Sequence, residues 1–68
     1  MNKAIIPNKK LYDLRKKKGV TQTEVAESLG ISVSAYNSYE TGQRIPRDDV
    51  KERIARYFNR TVQFIFFS

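Results

Sequence analysis

The chain of 68 residues contains no cysteine and no histidine. Without cysteine there is no disulfide and no thiol nucleophile, and without histidine the most common general base and most transition-metal sites are missing. No apolar run approaches the ~18 residues of a membrane span, and residues 1–10 lack the apolar core of a secretory signal. We therefore expect a cytoplasmic protein with no metal, no cofactor, no membrane contact and no evident small-molecule substrate.

Acidic residues are also few, with 7 Asp and Glu against 13 Lys and Arg. The only carboxylate cluster is formed by Asp48, Asp49 and Glu52, at the predicted start of a helix, where the helix dipole favours negative charge. The three glycines are too dispersed to form a phosphate-cradling loop. No catalytic residue is indicated, and we expect that the protein is not an enzyme.

The positive charge is concentrated in two parts of the chain. Residues 1–23 carry a net charge of +6, residues 24–43 carry −3, and residues 44–68 carry +3. Basic segments therefore flank a central segment that has no positive charge of its own. Such a distribution attracts polyanions without specifying which one, and ordinary solvated surface is an equally good explanation of it.

The central segment, residues 21–42, has the pattern of two short helices joined by a tight turn. Thr21 with Glu24 forms a capping box at the first helix start, and Ser32 is placed to cap the second helix. Gly30 and Gly42 follow the two helices, where a left-handed residue ends a helix at low steric cost. Apolar residues form one stripe on each helix (Val25, Ala26 and Leu29, then Ala35, Tyr36 and Tyr39). This is the sequence form of a helix-turn-helix.

The flanking segments predict further helices that support this pair. One helix is expected over residues 9–18 and another from about Arg47 to Phe58, where apolar residues recur with helical spacing. The tail, residues 61–68, is ambiguous: its residue types favour a strand, whereas Thr61 could also cap one short helical turn.

The second helix of the pair presents a strip of small and polar side chains if its tyrosines are buried. Base edges in the DNA major groove offer hydrogen-bond donors, acceptors and the thymine methyl, and such a strip suits them. Asn37 could bond adenine and Val33 could touch a methyl group. Taken alone, the strip is better explained as ordinary solvated surface; its place in a helix-turn-helix between basic segments favours base readout. The predicted base-reading residues are Val33, Ser34, Asn37 and Ser38.

Residues from about 11 to 66 resemble the lambda-repressor-like (Cro/cI-type, Xre-like) helix-turn-helix transcriptional regulators. The resemblance covers about four-fifths of the chain and rests on spacing as well as residue type. The matching residues are Leu14-Arg15, Thr21-Gln22, Val25-Ala26, Leu29-Gly30, Ile31-Ser32, Tyr36, Tyr39-Glu40, Gly42, Pro46, Ile54-Ala55 and Phe58.

This resemblance implies an all-α single domain over residues 1–68, with five short helices of which the third enters the major groove. The family's fifth helix favours the helical interpretation of the tail. Arg15 and Glu40 match a structural pair that ties the first helix to the end of the third. The residues expected to contact phosphates and position the protein are Gln22, Thr23, Ser32, Gln43, Arg44 and Arg47.

Two features depart from the family pattern. The recognition helix has no Arg or Lys, so the common bidentate contact with guanine is missing, and readout would depend on Asn37, methyl contacts and DNA shape. Arg47 stands where the family usually has a small capping hydroxyl, which makes the start of the fourth helix uncertain.

The function expected from these features is a nucleoid-associated, sequence-specific repressor that binds a palindromic operator in double-stranded DNA as a homodimer. The predicted dimer contacts are Phe64 and Phe67 in the C-terminal segment, with Ile5 and Ile6 as further candidates; the alternative is a tail folded back over the core. Because one domain is expected, regulation would act through concentration, dimerisation or competition for operators. A different class remains open, an antitoxin or interaction module whose aromatic tail binds another protein, whereas single-stranded or RNA binding is less favoured.

Overall fold

The computed structural model of the chain describes residues 6–67, which contain five α-helices and no strand. The prediction of an all-α, five-helix fold is therefore confirmed, including the helical interpretation of the tail. None of the helices in the described residues is both long and apolar enough to cross a membrane. The helices are α1 (Lys9–Lys18), α2 (Gln22–Leu29), α3 (Val33–Thr41), α4 (Asp48–Phe58) and α5 (Val62–Phe66).

Side-chain caps determine where four of the five helices begin. The Thr21 hydroxyl accepts a hydrogen bond from the Glu24 backbone N–H at 3.1 Å, and the Glu24 carboxylate accepts one from the Thr21 N–H at 2.8 Å, which completes the predicted capping box. α4 is the exception, because Arg47 precedes it without any side-chain cap. The side chains that cap the other helices in the same way are those of Asn8, Ser32 and Thr61.

A single core is formed by all five helices. α3 packs on α2 and α1, while α4 packs on α2 and α5, and part of the α3 surface stays exposed. Burying apolar surface of this kind is the main stabilising contribution in so small a domain. The buried core residues are Leu11, Val25, Ala26, Leu29, Tyr36, Tyr39, Val50, Ile54, Ala55, Phe58 and Ile65.

Asn8 connects three helices at the end of the bundle. Its side-chain oxygen accepts a hydrogen bond from the Leu11 N–H, which caps α1, and its amide nitrogen donates to the Ile65 carbonyl in α5 at 3.1 Å. Its backbone N–H donates to the Glu40 carbonyl in α3 at 2.9 Å. The segment that precedes α1 is thereby held against the C-terminal end of α3.

The two aromatic residues proposed as dimer contacts differ in their surroundings. Phe67 is 64% exposed, as predicted. Phe64 is half-buried against the core, with the charged groups of Lys10 and Arg60 each 4.8 Å from its ring centroid, so only Phe67 of the two predicted contacts is largely exposed. The single turn of α5 turns Phe64 towards α1, because α5 is tied to the N-terminal segment through Asn8. Ile6 is 77% exposed, and Ile5 lies outside the described residues.

Gly42 allows the N-terminal segment to approach α3. Its φ is +82°, and a Cβ atom built there would lie 2.1 Å from the Ile6 carbonyl oxygen. Gly19 has a similar φ of +76° but open space around it.

We expect Gly19→Ala to lower the free energy of unfolding by about 1–2 kcal/mol, through backbone strain alone. Gly42→Ala should lower it by at least a further ~1 kcal/mol, because of the clash. Urea denaturation of both variants measures the difference; equal losses would show that the close approach is unimportant.

Candidate nucleic-acid interface

The uncovered side of α3 carries small, uncharged side chains. Val33 is 44% exposed, and Ser34 and Asn37 are also exposed. On a helix of 3.6 residues per turn these three residues share one face, while Tyr36 and Tyr39 point into the core from the other. α3 is thus held from behind by its tyrosines and leaves a polar, uncharged face free.

Ser38 does not belong to this face, and the prediction that it lies on the exposed strip is wrong. It is only 8% exposed, and its hydroxyl donates a hydrogen bond to the Ala35 carbonyl at 2.6 Å. The loop after α3 folds back over it, with the Arg44 backbone N–H donating to the Ser38 carbonyl at 3.2 Å. Ser38 lies at the edge of the helix face, and this returning loop buries it.

Arg15 and Glu40 form a buried ion pair that joins α1 to the end of α3. The guanidinium donates two hydrogen bonds to the carboxylate, from Nε to Oε2 at 2.6 Å and from Nη2 to Oε1 at 3.3 Å. The two side chains are only 12% and 4% exposed. The hydrogen bond to Glu40 and its negative charge raise the pKa of Arg15 above its ordinary value, against the opposing effect of burial. The guanidinium also donates to the Val20 carbonyl at 3.0 Å, so it holds the loop before α2 as well.

Gln22 connects this ion pair to the exposed face. Its amide nitrogen donates to Glu40 Oε1 at 3.1 Å and to Asn37 Oδ1 at 3.0 Å. One side chain at the start of α2 therefore contacts both a buried charge and an exposed residue of α3. The sequence indicated a contact between Gln22 and DNA, but nothing in it indicated these two hydrogen bonds.

The predicted positioning residues form two groups, one beside the start of α2 and one in the loop after α3. Gln22 and Thr23 line a shallow cleft of about 440 Å³ that also includes Arg15, Lys16 and Val33. The cleft brings basic groups of α1 next to the start of α2, where helix dipoles favour anions.

The second group, in the loop between α3 and α4, consists of Gln43, Arg44 and Arg47, which are all exposed. Arg47 makes only a long contact with Asp49, 3.6 Å between Nε and Oδ1, and exposed pairs of this kind contribute little to stability. The hydroxyl of Ser32 accepts a hydrogen bond from the Ala35 N–H as the cap of α3, but the residue remains exposed. Basic groups are thus exposed in the cleft beside Val33 and in the loop that follows α3.

A profile of the helix-turn-helix family matches residues 11–65, most of the chain. The chain belongs to the lambda-repressor-like helix-turn-helix family. Members of this family are DNA-binding transcription regulators.

Two curated relatives in the family differ in their recorded effect on transcription. One is RstR, a transcriptional repressor of the cryptic phage CTXphi from Vibrio cholerae, 33% identical over 49 residues, which are 72% of this chain and 44% of RstR. The other is BcrR, an HTH-type transcriptional activator from Enterococcus faecalis, 34% identical over 55 residues, which are 81% of this chain and 27% of BcrR. The chain spans less than half the length of either relative.

One residue that supports this helix-turn-helix was not indicated by the sequence. Arg53 of α4 donates a hydrogen bond from Nη1 to the Leu29 carbonyl at 2.6 Å, and its Nη2 lies 3.7 Å from Asp49 Oδ2. The last carbonyls of α2 lack partners within their own helix, so this bond satisfies one of them and ties α4 to the turn before α3. A basic residue near another helix end has no distinguishing sequence pattern.

Within residues 6–67, no group of acidic side chains is arranged to hold a metal ion.

Tyr36 is fully buried behind the interface, and its hydroxyl has no hydrogen-bond partner within the described part of the chain. Burial, and after it the carboxylate of Glu40, raise the pKa of Tyr36 far above its ordinary value. The folded protein therefore keeps this phenol neutral at a pH where the unfolded chain, with an ordinary pKa of ~10, would ionise it. The contribution of Tyr36 to stability is complete below pH ~10 and is lost as the pH rises above that value.

We expect Tyr36→Phe to change the free energy of unfolding by less than ~1 kcal/mol at pH 7, because the hydroxyl that it removes makes no hydrogen bond. Between pH ~9 and ~11 the variant should lose less stability than the wild-type chain, since it lacks the group whose ionisation favours unfolding. Urea denaturation of both proteins across this range is the measurement. Parallel stability curves would contradict the assignment.

Proposed function

We propose that the chain is a sequence-specific repressor that binds a palindromic operator in double-stranded DNA as a homodimer, with α3 in the major groove. The single observation that carries this proposal is the exposed, uncharged face of α3, formed by Val33, Ser34 and Asn37. Basic and amide side chains are exposed in the cleft beside Val33 and in the loop that follows α3. A face of this kind can approach base edges, while the flanking cations contact phosphates and hold the protein in register.

The assigned roles follow the position of each side chain. Val33, Ser34 and Asn37 are proposed to read bases, and Ser38 is left out because it is buried. Phosphate contacts and positioning are proposed for Gln22, Thr23, Ser32, Gln43, Arg44 and Arg47. Arg15 and Glu40 hold α1 and α3 together and make no contact with DNA in this proposal.

A groove with exposed apolar side chains, whose lining also includes Lys9, Lys10 and Arg44, supports the homodimer. Ile6, Ile45 and Phe67 are each at least 64% exposed, and all three border one open groove of about 740 Å³ at the α5 end of the bundle. Exposed apolar side chains grouped on so small a protein indicate association. A dimer that reads two half-sites must place its recognition helices about one helical turn, ~34 Å, apart, and we propose that joining two copies here does so.

Repression is the simpler effect, because occupying a site that overlaps a promoter blocks polymerase. RstR is described as a repressor and BcrR as an activator, so the two relatives do not agree on the sign. A reporter gene with the selected site placed across its promoter decides: lower expression with the protein present supports repression, and higher expression overturns it.

Selection of bound duplexes from a random DNA pool, at a stated salt concentration, tests the proposed function as a whole. We expect an enriched site with two inverted half-sites. Enrichment of a single, non-palindromic half-site would contradict the dimeric mode of binding, and the absence of any enriched sequence would contradict specific DNA recognition.

Two alanine variants separate base readout from phosphate contact. We expect Asn37→Ala to change the base preference at one position of each half-site. Arg44→Ala should weaken binding to all duplexes alike and reduce the slope of log K against log salt by about one, because one phosphate contact is lost. Binding curves on the selected site and on single-base variants of it, at several salt concentrations, give both quantities. Equal loss of affinity on every sequence in both variants would refute the assignment.

Replacement of the exposed ring of Phe67 tests the dimer. Phe67→Ser should raise the dissociation constant of the dimer at least about tenfold, since a buried aromatic anchor typically contributes more than 1 kcal/mol to an interface. Tyr12→Ser is the matched control, because Tyr12 is also an exposed aromatic residue, at 45%, but is not part of the groove. Sedimentation without DNA measures the dimer dissociation constant of the wild-type chain and of each variant. A wild-type chain that stays monomeric at micromolar concentration, or equal weakening by both changes, would contradict this interface.

A further inference from the structure

Four side chains form a continuous hydrogen-bonded series from the interior to the exposed face of α3. Arg15 donates to Glu40, Gln22 donates to Glu40 at 3.1 Å, and Gln22 donates to Asn37 at 3.0 Å. Glu40 is 5% exposed and carries its negative charge against the Arg15 guanidinium at 2.6 Å. We call these four residues the polar relay.

The chemistry of these groups allows only one orientation for the amide of Gln22. An ionised carboxylate has acceptors and no donor, so Gln22 must turn its NH₂ group, not its carbonyl, towards Glu40. Arg15 cannot reverse this direction, because a guanidinium has donors and no acceptor. The buried ion pair therefore fixes which end of the Gln22 amide faces inward.

The orientation of the Gln22 amide in turn determines the orientation of the Asn37 amide. The second N–H of the Gln22 amide requires an acceptor, which is the side-chain oxygen of Asn37. The two ends of a planar amide point in different directions, so the NH₂ group of Asn37 is the end that is not turned towards α2. The NH₂ group of Asn37 therefore keeps two N–H donors available for a ligand, and the side-chain carbonyl of Gln22 keeps its acceptor available.

We propose that the polar relay sets the hydrogen-bonding polarity of the DNA-reading face, so that Asn37 acts as a donor and selects a base edge that carries an acceptor. Such acceptors in the major groove are purine N7, guanine O6 and thymine O4. The carbonyl of Gln22 is the complementary acceptor, suited to the amino group of adenine or cytosine. Gln22 and Glu40 thereby become specificity-determining residues, and Glu40 acts only by positioning Gln22. This inference rests on the proposed DNA-binding function.

The isosteric change Asn37→Asp tests the polarity directly, because it replaces the donor end of the side chain with a second acceptor. At the base position where Asn37→Ala alters preference, the wild-type chain should favour guanine or thymine, whose contacted edges carry acceptors, over cytosine, whose edge carries only an amino donor. Asn37→Asp should lose that preference by about tenfold, the equivalent of one hydrogen bond, and shift towards cytosine or adenine amino groups. The readout is the ratio of affinities between single-base variants of the selected site, since the added charge weakens binding to every duplex.

Lys16→Gln is the matched control for that charge. It changes the net charge by the same one unit at an exposed residue that lines the cleft beside Val33, outside the polar relay and outside the proposed base readers. It should lower the affinity for all duplexes while leaving the base preference at the Asn37 position unchanged. The same shift of preference in both variants would overturn the proposal.

Gln22→Leu tests the relay itself, because it removes the group that orients Asn37 and leaves Asn37 in place. With its amide free to rotate, Asn37 should bind donor and acceptor edges almost equally. The ratio of affinities between single-base variants at its position should therefore fall about tenfold, to nearly one. Unchanged discrimination, in a variant whose thermal unfolding shows that it is folded, would overturn the relay. A wild-type chain that enriches no duplex at all would instead refute the proposed function, which distinguishes the two failures.

Discussion

The buried ion pair between Arg15 and Glu40 is the interaction on which the arrangement of this helix-turn-helix depends. It joins the first helix to the end of the third, and through the Val20 carbonyl it also holds the loop before the second helix. A charge this deeply buried is tolerated only when its partner and its remaining hydrogen bonds are in place, so removing either residue would leave an uncompensated charge in the core. The pair therefore gives these three elements one favourable arrangement.

Other polar contacts complete the frame around α3. Asn8 ties the N-terminal segment to the end of α3 and to α5, and Arg53 ties α4 to the turn before α3. Neither α2 nor α3 is long enough to be stable alone in water, so their orientation depends on these contacts and on the shared core. The result is a recognition helix that is fixed on its inner side and leaves its outer side, with Val33, Ser34 and Asn37, uncovered.

Much of this architecture could be predicted from local sequence patterns. The capping residues, the glycines after α1, α2 and α3, and the apolar spacing of α4 act within a few residues of the chain, and the helix bounds followed from them closely. The burial of Ser38 could not be predicted, because it results from the returning loop. The partial burial of Phe64 likewise depends on the core and on Lys10 of α1, which is distant from Phe64 in the sequence. Contacts between distant segments, including the hydrogen bonds of Gln22 and Arg53, leave no local pattern in the sequence.

The central claim is that the outer side of α3 meets DNA while its inner side stays bound to the protein. An NMR titration of the ¹⁵N-labelled chain with its selected duplex tests this claim most directly. The account predicts that the largest changes occur in the backbone signals of Val33 and Ser34 and in the side-chain amide of Asn37, with the core signals of α4 almost unchanged. Changes centred on the groove beside Phe67, with α3 unaffected, would contradict it.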